Sequence, residues 1–247
     1  MTNINGHDPQ NVTPFPGDRE RRARQKTKAE TPDVPHEPVL NLPPATKLLG
    51  LLILLAFIVQ EYLLPLILST DGADSLVYNL AFVPARYTGQ DPLDIYAVVS
   101  PITHLFLHGG WMHLGMNLLS LLAFGSALEQ WLGKRRMLLV YFASALGGVL
   151  LHLAVYPHME APMVGASGAI SGLFGAILVA MNDRQSSGRG RFGQIVPFIV
   201  VWVIMCAGLS FFGLPGVNGQ IAWAPHIGGF ITGLALCRPI SRMRLPS

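Results

Sequence analysis

Between Lys47 and Cys237 the chain is a succession of apolar stretches. The first, Lys47 to about Leu68, reaches the roughly 20 residues that a helix needs to cross the hydrocarbon of a bilayer. Backbone at that depth has no water to bond, so each such stretch must satisfy its own N–H and C=O groups as a helix. Composition agrees. Only 13% of the 247 residues are charged and 51% are hydrophobic, whereas a soluble domain carries roughly a quarter charged residues. The 26 glycines suit helices that pack closely in lipid, where small residues take over from the hydrophobic effect. Cys206 and Cys237 both fall in apolar runs and read as small buried hydrophobes.

The stretches divide into six predicted spans: Lys47 to Leu68, His104 to Leu128, Arg136 to Tyr156, Ser167 to Met181, Gln194 to Phe212 and Trp223 to Cys237. The expected fold is therefore an all-α membrane protein, a six-helix bundle. Residues 1–45 are polar and proline-rich and read as a disordered tail, 46–240 as the membrane domain and 241–247 as a short second tail. Residues 69–101 mix Asp71, Asp74, Arg86 and Asp94 with Phe82, Tyr87 and Tyr96, the composition of a structured loop lying partly in the interface. Six spans put both termini on one side. With that side cytoplasmic, 16 of the 17 lysines and arginines are inside and only Arg86 is outside, as the positive-inside tendency requires. This asymmetry accounts for the basic charge by topology, with no nucleic-acid partner.

Span four is short. Its 15 residues make about 22 Å of helix against a hydrocarbon thickness of roughly 30 Å. The preceding segment, Pro157 to Ala166, must then dip into the membrane, which is tolerated only where protein or a water-filled cavity surrounds it. Ser167, in Gly165-Ala166-Ser167-Gly168, is thus predicted at the N-terminus of a short helix on the floor of an outward-facing cavity. There the unpaired N–H groups and positive helix end suit a developing oxyanion.

A serine nucleophile needs a base, and span six offers His226 ahead of Gly229 and Gly233. Gly168, Gly172, Gly175 and Ala176 give span four a small face of its own, so the two backbones can approach and bring Ser167 and His226 together. No acidic residue in either span is placed to orient the imidazole, which predicts a Ser-His dyad. In span two, His113 and Asn117 are four apart on one face and supply donors that join the Ser167 N–H around an oxyanion. His104 and His108 also share the four-residue step. Zinc is the competing reading of that pair, but no third ligand has suitable spacing and no metal or other cofactor is expected. His152 and His158 read as interfacial histidines. Glu129, in Gly125-x-x-x-Glu129-x-x-x-Gly133, stands at the opposite membrane side from Ser167 and reads as a structural residue that bonds backbone.

His113-x-x-x-Asn117, Gly125-x-x-x-Glu129-x-x-x-Gly133, Gly165-Ala166-Ser167-Gly168 and His226-x-x-Gly229-x-x-x-Gly233, in that order, resemble the rhomboid family of intramembrane serine proteases. The resemblance covers about Lys47 to Cys237. It implies a six-span rhomboid-like bundle with Ser167 as nucleophile, His226 as general base and then acid, and His113, Asn117 and the Ser167 N–H as the oxyanion hole. It further implies structural support from His108, Glu129 and the glycines Gly165, Gly168, Gly229 and Gly233, and substrate entry beside span five and residues Gly213 to Ala222. Substrates would be transmembrane proteins, and the setting a lipid bilayer such as a bacterial inner membrane. No pattern specifies an oligomeric state. Two positions depart from the family. Ser171 stands where an aromatic side chain often stacks on the histidine, and Pro225 where a small residue is usual, which suggests that span six starts late. A catalytically silent rhomboid-like binder of membrane proteins, and a transporter using the span-two histidines, are the alternatives from other functional classes.

Overall fold

A computed structural model describes residues 42–89, 93–184 and 223–243, together with residue 20 and residues 196–204 except 198 and 203. Both predicted tails apart from 42–45 and 241–243, most of predicted span five and Gly213 to Ala222 lie outside the described residues, Glu20 aside. The described chain is helical, and its one β-type contact is an isolated antiparallel bridge between Phe82 and Met163. Three helices are long and apolar enough to cross a membrane: α1, Pro44–Ile67, α5, Trp111–Leu132, and α6, Lys134–Val155. The protein is integral and multi-pass. Ser167–Arg184 forms α7 and Trp223–Arg242 forms α8. Pro225 is the third residue of α8, inside the first turn, where its missing N–H has no helical acceptor to lose.

Between α1 and α5 the chain makes three short helices, α2, Thr70–Leu80, α3, Ala85–Thr88, and α4, Ile95–Thr103. The first and third begin on a local signal. Ser69 Oγ accepts from the Gly72 N–H at 3.2 Å, and Asp94 accepts from the Ala97 N–H at 2.8 Å, both N-caps. Tyr87 ties α3 to α4 by donating to the Ala97 carbonyl at 2.6 Å and meeting Ser100 Oγ at 2.9 Å. Burial pushes this phenol above its usual range, against the opposing pull of the Ser100 hydrogen bond, so it stays protonated and able to donate.

One predicted boundary is corrected. His104 does not open the second long helix; it begins a 3-10 turn, His104–Phe106, that ends α4. The long helix starts at Trp111 after Gly109-Gly110, where Gly110 adopts φ +140°. Apolar composition runs without a break from Ile95 through Phe106, so the glycine pair rather than hydropathy marks the turn. His104 and His108 consequently share no helical face. His152 is also corrected. It is buried within the protein in α6, beside Phe82 and Tyr156, with ring centroids 6.4 and 5.4 Å away, rather than exposed on the surface.

The interior is a small-residue contact among α6, α7 and α8. A Cβ added to Gly229 would fall on the Gly168 carbonyl oxygen, and one on Gly233 would fall on that of Gly172. From α6, Gly148 would present a Cβ 2.8 Å from the Pro225 carbonyl oxygen. Backbone therefore touches backbone across all three helices, the approach that only glycine permits. Ala169, Leu173 and Ala176 of α7 are fully buried in the surrounding core with Tyr141 of α6.

Candidate active site

Ser167 is the first residue of α7. The chain reaches it through Gly165, whose φ of +110° is open to glycine and strained for side chains. The Gly165 N–H donates to the His104 carbonyl at 2.9 Å, and Met163 and Phe82 exchange backbone hydrogen bonds at 2.8 and 3.0 Å. The irregular segment before α7 thus finds backbone partners in the segment before α5. Behind Ser167, the N–H groups of the first turn of α7 supply the positive helix end.

His226 is the fourth residue of α8 and half-buried. A Cβ on Gly168, next to Ser167, would lie 3.2 Å from the carbonyl oxygen of Pro225, next to His226. The two residues therefore flank one backbone contact at the N-terminal ends of α7 and α8. Trp223 secures the start of α8 by donating its indole N–H to Tyr156 Oη at 2.8 Å. Ser171 is buried one turn into α7 and brings no aromatic ring to the start of α8, while Pro225 and Gly229, on either side of His226, make close backbone contacts with Gly168.

His113 and Asn117 stand on one face of α5. Asn117 is buried and gives one amide hydrogen to the His113 carbonyl at 2.9 Å, which leaves its second for another acceptor. A Cβ on Gly165 would meet His113 Cε1 and Nε2 at 2.7 Å and Asn117 Nδ2 at 3.9 Å. Both candidate oxyanion donors thus border the turn that delivers Ser167. His108 is buried with its ring centroid 5.0 Å from that of His113.

Glu129 lies at the far end of α5 and is buried. Its carboxylate accepts from the Ala45 N–H at 2.9 Å, the Thr46 N–H at 2.7 Å and Thr46 Oγ1 at 2.8 Å. It caps α1, whose first-turn N–H groups have no helical partner. Gly125 makes room for this: a Cβ there would press on Thr46 at 3.1 Å. Gly133, with φ +81°, joins α5 to α6.

Gln60 is a residue that the sequence analysis did not single out. Its side-chain amide accepts from the His108 N–H at 3.1 Å and donates to the His108 carbonyl at 2.7 Å. A polar amide in an apolar span was the available signal.

Residues 97–243 match the family model described as Rhomboid domain. Among curated proteins, the chain is similar to RHOMBOID-like protein 5 of Arabidopsis thaliana, with 35% identity over 135 residues, 55% of this chain and 41% of that protein. It is similar to Rhomboid protease GluP of Bacillus subtilis, 36% identical over 133 residues, 53% of this chain and 24% of the relative. Rhomboid-type serine protease 2 of Emericella nidulans is 33% identical over 139 residues, 55% of this chain and 25% of the relative. The chain thus spans less than half the length of each of these relatives. The match over 97–243 takes in α5 to α8 and with them every motif of the site, and by it the chain belongs to the rhomboid family.

Proposed function

We propose that the protein is an intramembrane serine endopeptidase that cleaves other membrane proteins in or near a transmembrane segment, using Ser167 and His226 as a dyad. The observation that carries this reading is the meeting of three helices, α5, α7 and α8, at one turn: Gly165, two residues before Ser167, lies against His113 and Asn117, while Gly168, one residue after it, lies against Pro225, next to His226. A nucleophile at a helix N-terminus, a base and two side-chain donors on separate helices are what acyl transfer requires. The names of two relatives, a rhomboid protease and a rhomboid-type serine protease, support the same chemistry.

In this mechanism His226 takes the Ser167 Oγ proton as the oxygen attacks the scissile carbonyl. The Ser167 N–H, the His113 ring and the Asn117 amide hold the resulting oxyanion. His226 then protonates the leaving amine, and water, deprotonated by His226, hydrolyses the acyl-enzyme. Attack needs an extended strand, because a helix keeps its carbonyls in its own hydrogen bonds; helix-breaking or small residues near the outer end of the substrate span are therefore preferred. The proposed topology has six crossings and both termini cytoplasmic, following the distribution of lysine and arginine.

The test is cleavage of a single-span protein in liposomes by the parent chain, Ser167→Ala and His226→Ala. Cleavage by the parent alone is the expected result. A parent that binds several substrates but cuts none replaces the protease with the silent binder, and a Ser167→Ala variant that still cuts at parental rate removes the dyad.

A further inference from the structure

We infer that Gln60 is a positioning residue that sets which ring nitrogen of His113 carries its proton, an inference that rests on His113 being an oxyanion donor. Gln60 lies in a single π turn of α1, Val59–Leu63. Such widened turns re-aim side chains and concentrate at functional sites. Its amide engages the His108 backbone as a strand would, accepting from the N–H at 3.1 Å and donating to the carbonyl at 2.7 Å. The second amide hydrogen goes to Glu61 Oε1 at 3.0 Å. That pair of acceptors fixes the orientation of the amide, since a flipped side chain would set its oxygen against a carbonyl and a carboxylate.

The peptide clamped in this way ends in the Gly109 N–H, which donates to His113 Nδ1 at 3.3 Å. A neutral imidazole has one donor and one acceptor nitrogen. With Nδ1 accepting, the proton resides on Nε2, and Nε2 belongs to the ring edge, Cε1–Nε2, that borders Gly165, where a Cβ would stand 2.7 Å from both atoms. Gln60 acts on the site through one peptide and one ring, over 48 residues of sequence. The link it fixes carries two glycines, Gly109 and Gly110, the second with φ +140°, so side chains do not restrict it.

Two readouts test this. In the Ser167→Ala background, ring 15N spectra of histidine-labelled protein, with His113 assigned by its loss in His113→Ala, report the tautomer. Gln60→Leu removes both bonds to His108, and Gln60→Glu keeps only the acceptor for its N–H. The expected result is a shift of His113 away from the Nε2–H form in Gln60→Leu and a smaller shift in Gln60→Glu. In the Ser167 background kcat should fall about tenfold or more in Gln60→Leu with KM within about twofold, part of the 10²- to 10³-fold typical of losing an oxyanion donor. A folded Gln60→Leu, or Gln60→Glu where the first variant does not fold, with the parental tautomer and parental kcat overturns the inference. The tautomer shift supports the link even in a chain that cleaves nothing, so failure of the protease reading and failure of this one are separable.

Discussion

Gly229→Ala places a methyl group where the structure has a carbonyl. The added Cβ would clash with the Gly168 oxygen, stand 2.7 Å from the Gly168 carbonyl carbon and reach within 3.2 Å of the Ser144 carbonyl oxygen on α6. All three are backbone atoms, so no rotamer change relieves the contact. Bringing the carbonyl carbon alone from 2.7 Å to the ordinary contact distance of 3.4 Å parts α7 from α8 by about 0.7 Å, and the oxygen demands more. The parting falls where Gly168 adjoins Ser167 and less than a turn from His226. A displacement near 1 Å at reacting groups costs about 10²-fold, and overpacking of this kind about 1–3 kcal/mol. The expected result is therefore a roughly 10²-fold fall in kcat/KM on a single-span substrate in liposomes, with a lowered unfolding midpoint in detergent. Gly50→Ala is the control, since its Cβ would meet Leu118 and Leu122 at 3.8 and 3.9 Å. A folded Gly229→Ala that cleaves at parental rate would show that the glycine contact does not set the spacing of nucleophile and base.

Glu129→Ala removes three hydrogen bonds to a carboxylate and leaves the N–H groups of Ala45 and Thr46 buried without it; at about 1.5–3 kcal/mol per charge-assisted bond, shared among three on one group, unfolding should become easier by about 3–5 kcal/mol. Denaturant unfolding in micelles measures this, and a parental midpoint would refute the capping role. Gly165→Ala must hold φ +110° and fit a Cβ 2.7 Å from the His113 ring, so it should lose about 1–3 kcal/mol of stability from strain and about tenfold or more in kcat. Parental kinetics in that variant would remove His113 from the neighbourhood of the reaction.

What the sequence made legible is what it encodes at short range. The step of four from Gly229 to Gly233 and the small face of Gly168 and Gly172 announce a close helix pair, and the backbone contacts are made by these residues. The shortness of the apolar run after Ser167 locates a helix start, and α7 begins there. Long-range pairings leave no such trace. Glu129 is recognisable as an expensive buried acid, but nothing in its surroundings names Ala45 and Thr46, 84 and 83 residues away. Gln60 and His108 are invisible as partners for the same reason. Hydropathy also misplaced the start of α5, since an average over a window cannot see a backbone reversal at one glycine.

The same distinction explains why residues 69–110 belong to the site rather than to the connection between two spans. A loop on a soluble surface leaves its spare N–H and C=O groups to water, but a segment that dips into a membrane must find each of them a partner. The partners for the segment before Ser167 come from this region: Phe82 for Met163, Ala85 for Met159, His104 for Gly165. The same region carries His108 and ends at Gly109 and Gly110, which lead into the helix of His113 and Asn117. In the proposed topology, lowering Ser167 below the membrane surface obliges the chain to lower a second irregular segment beside it. That segment leads directly into α5, whose His113 and Asn117 border Gly165, so in the proposed mechanism the placement of the nucleophile and the construction of the oxyanion hole are one structural requirement.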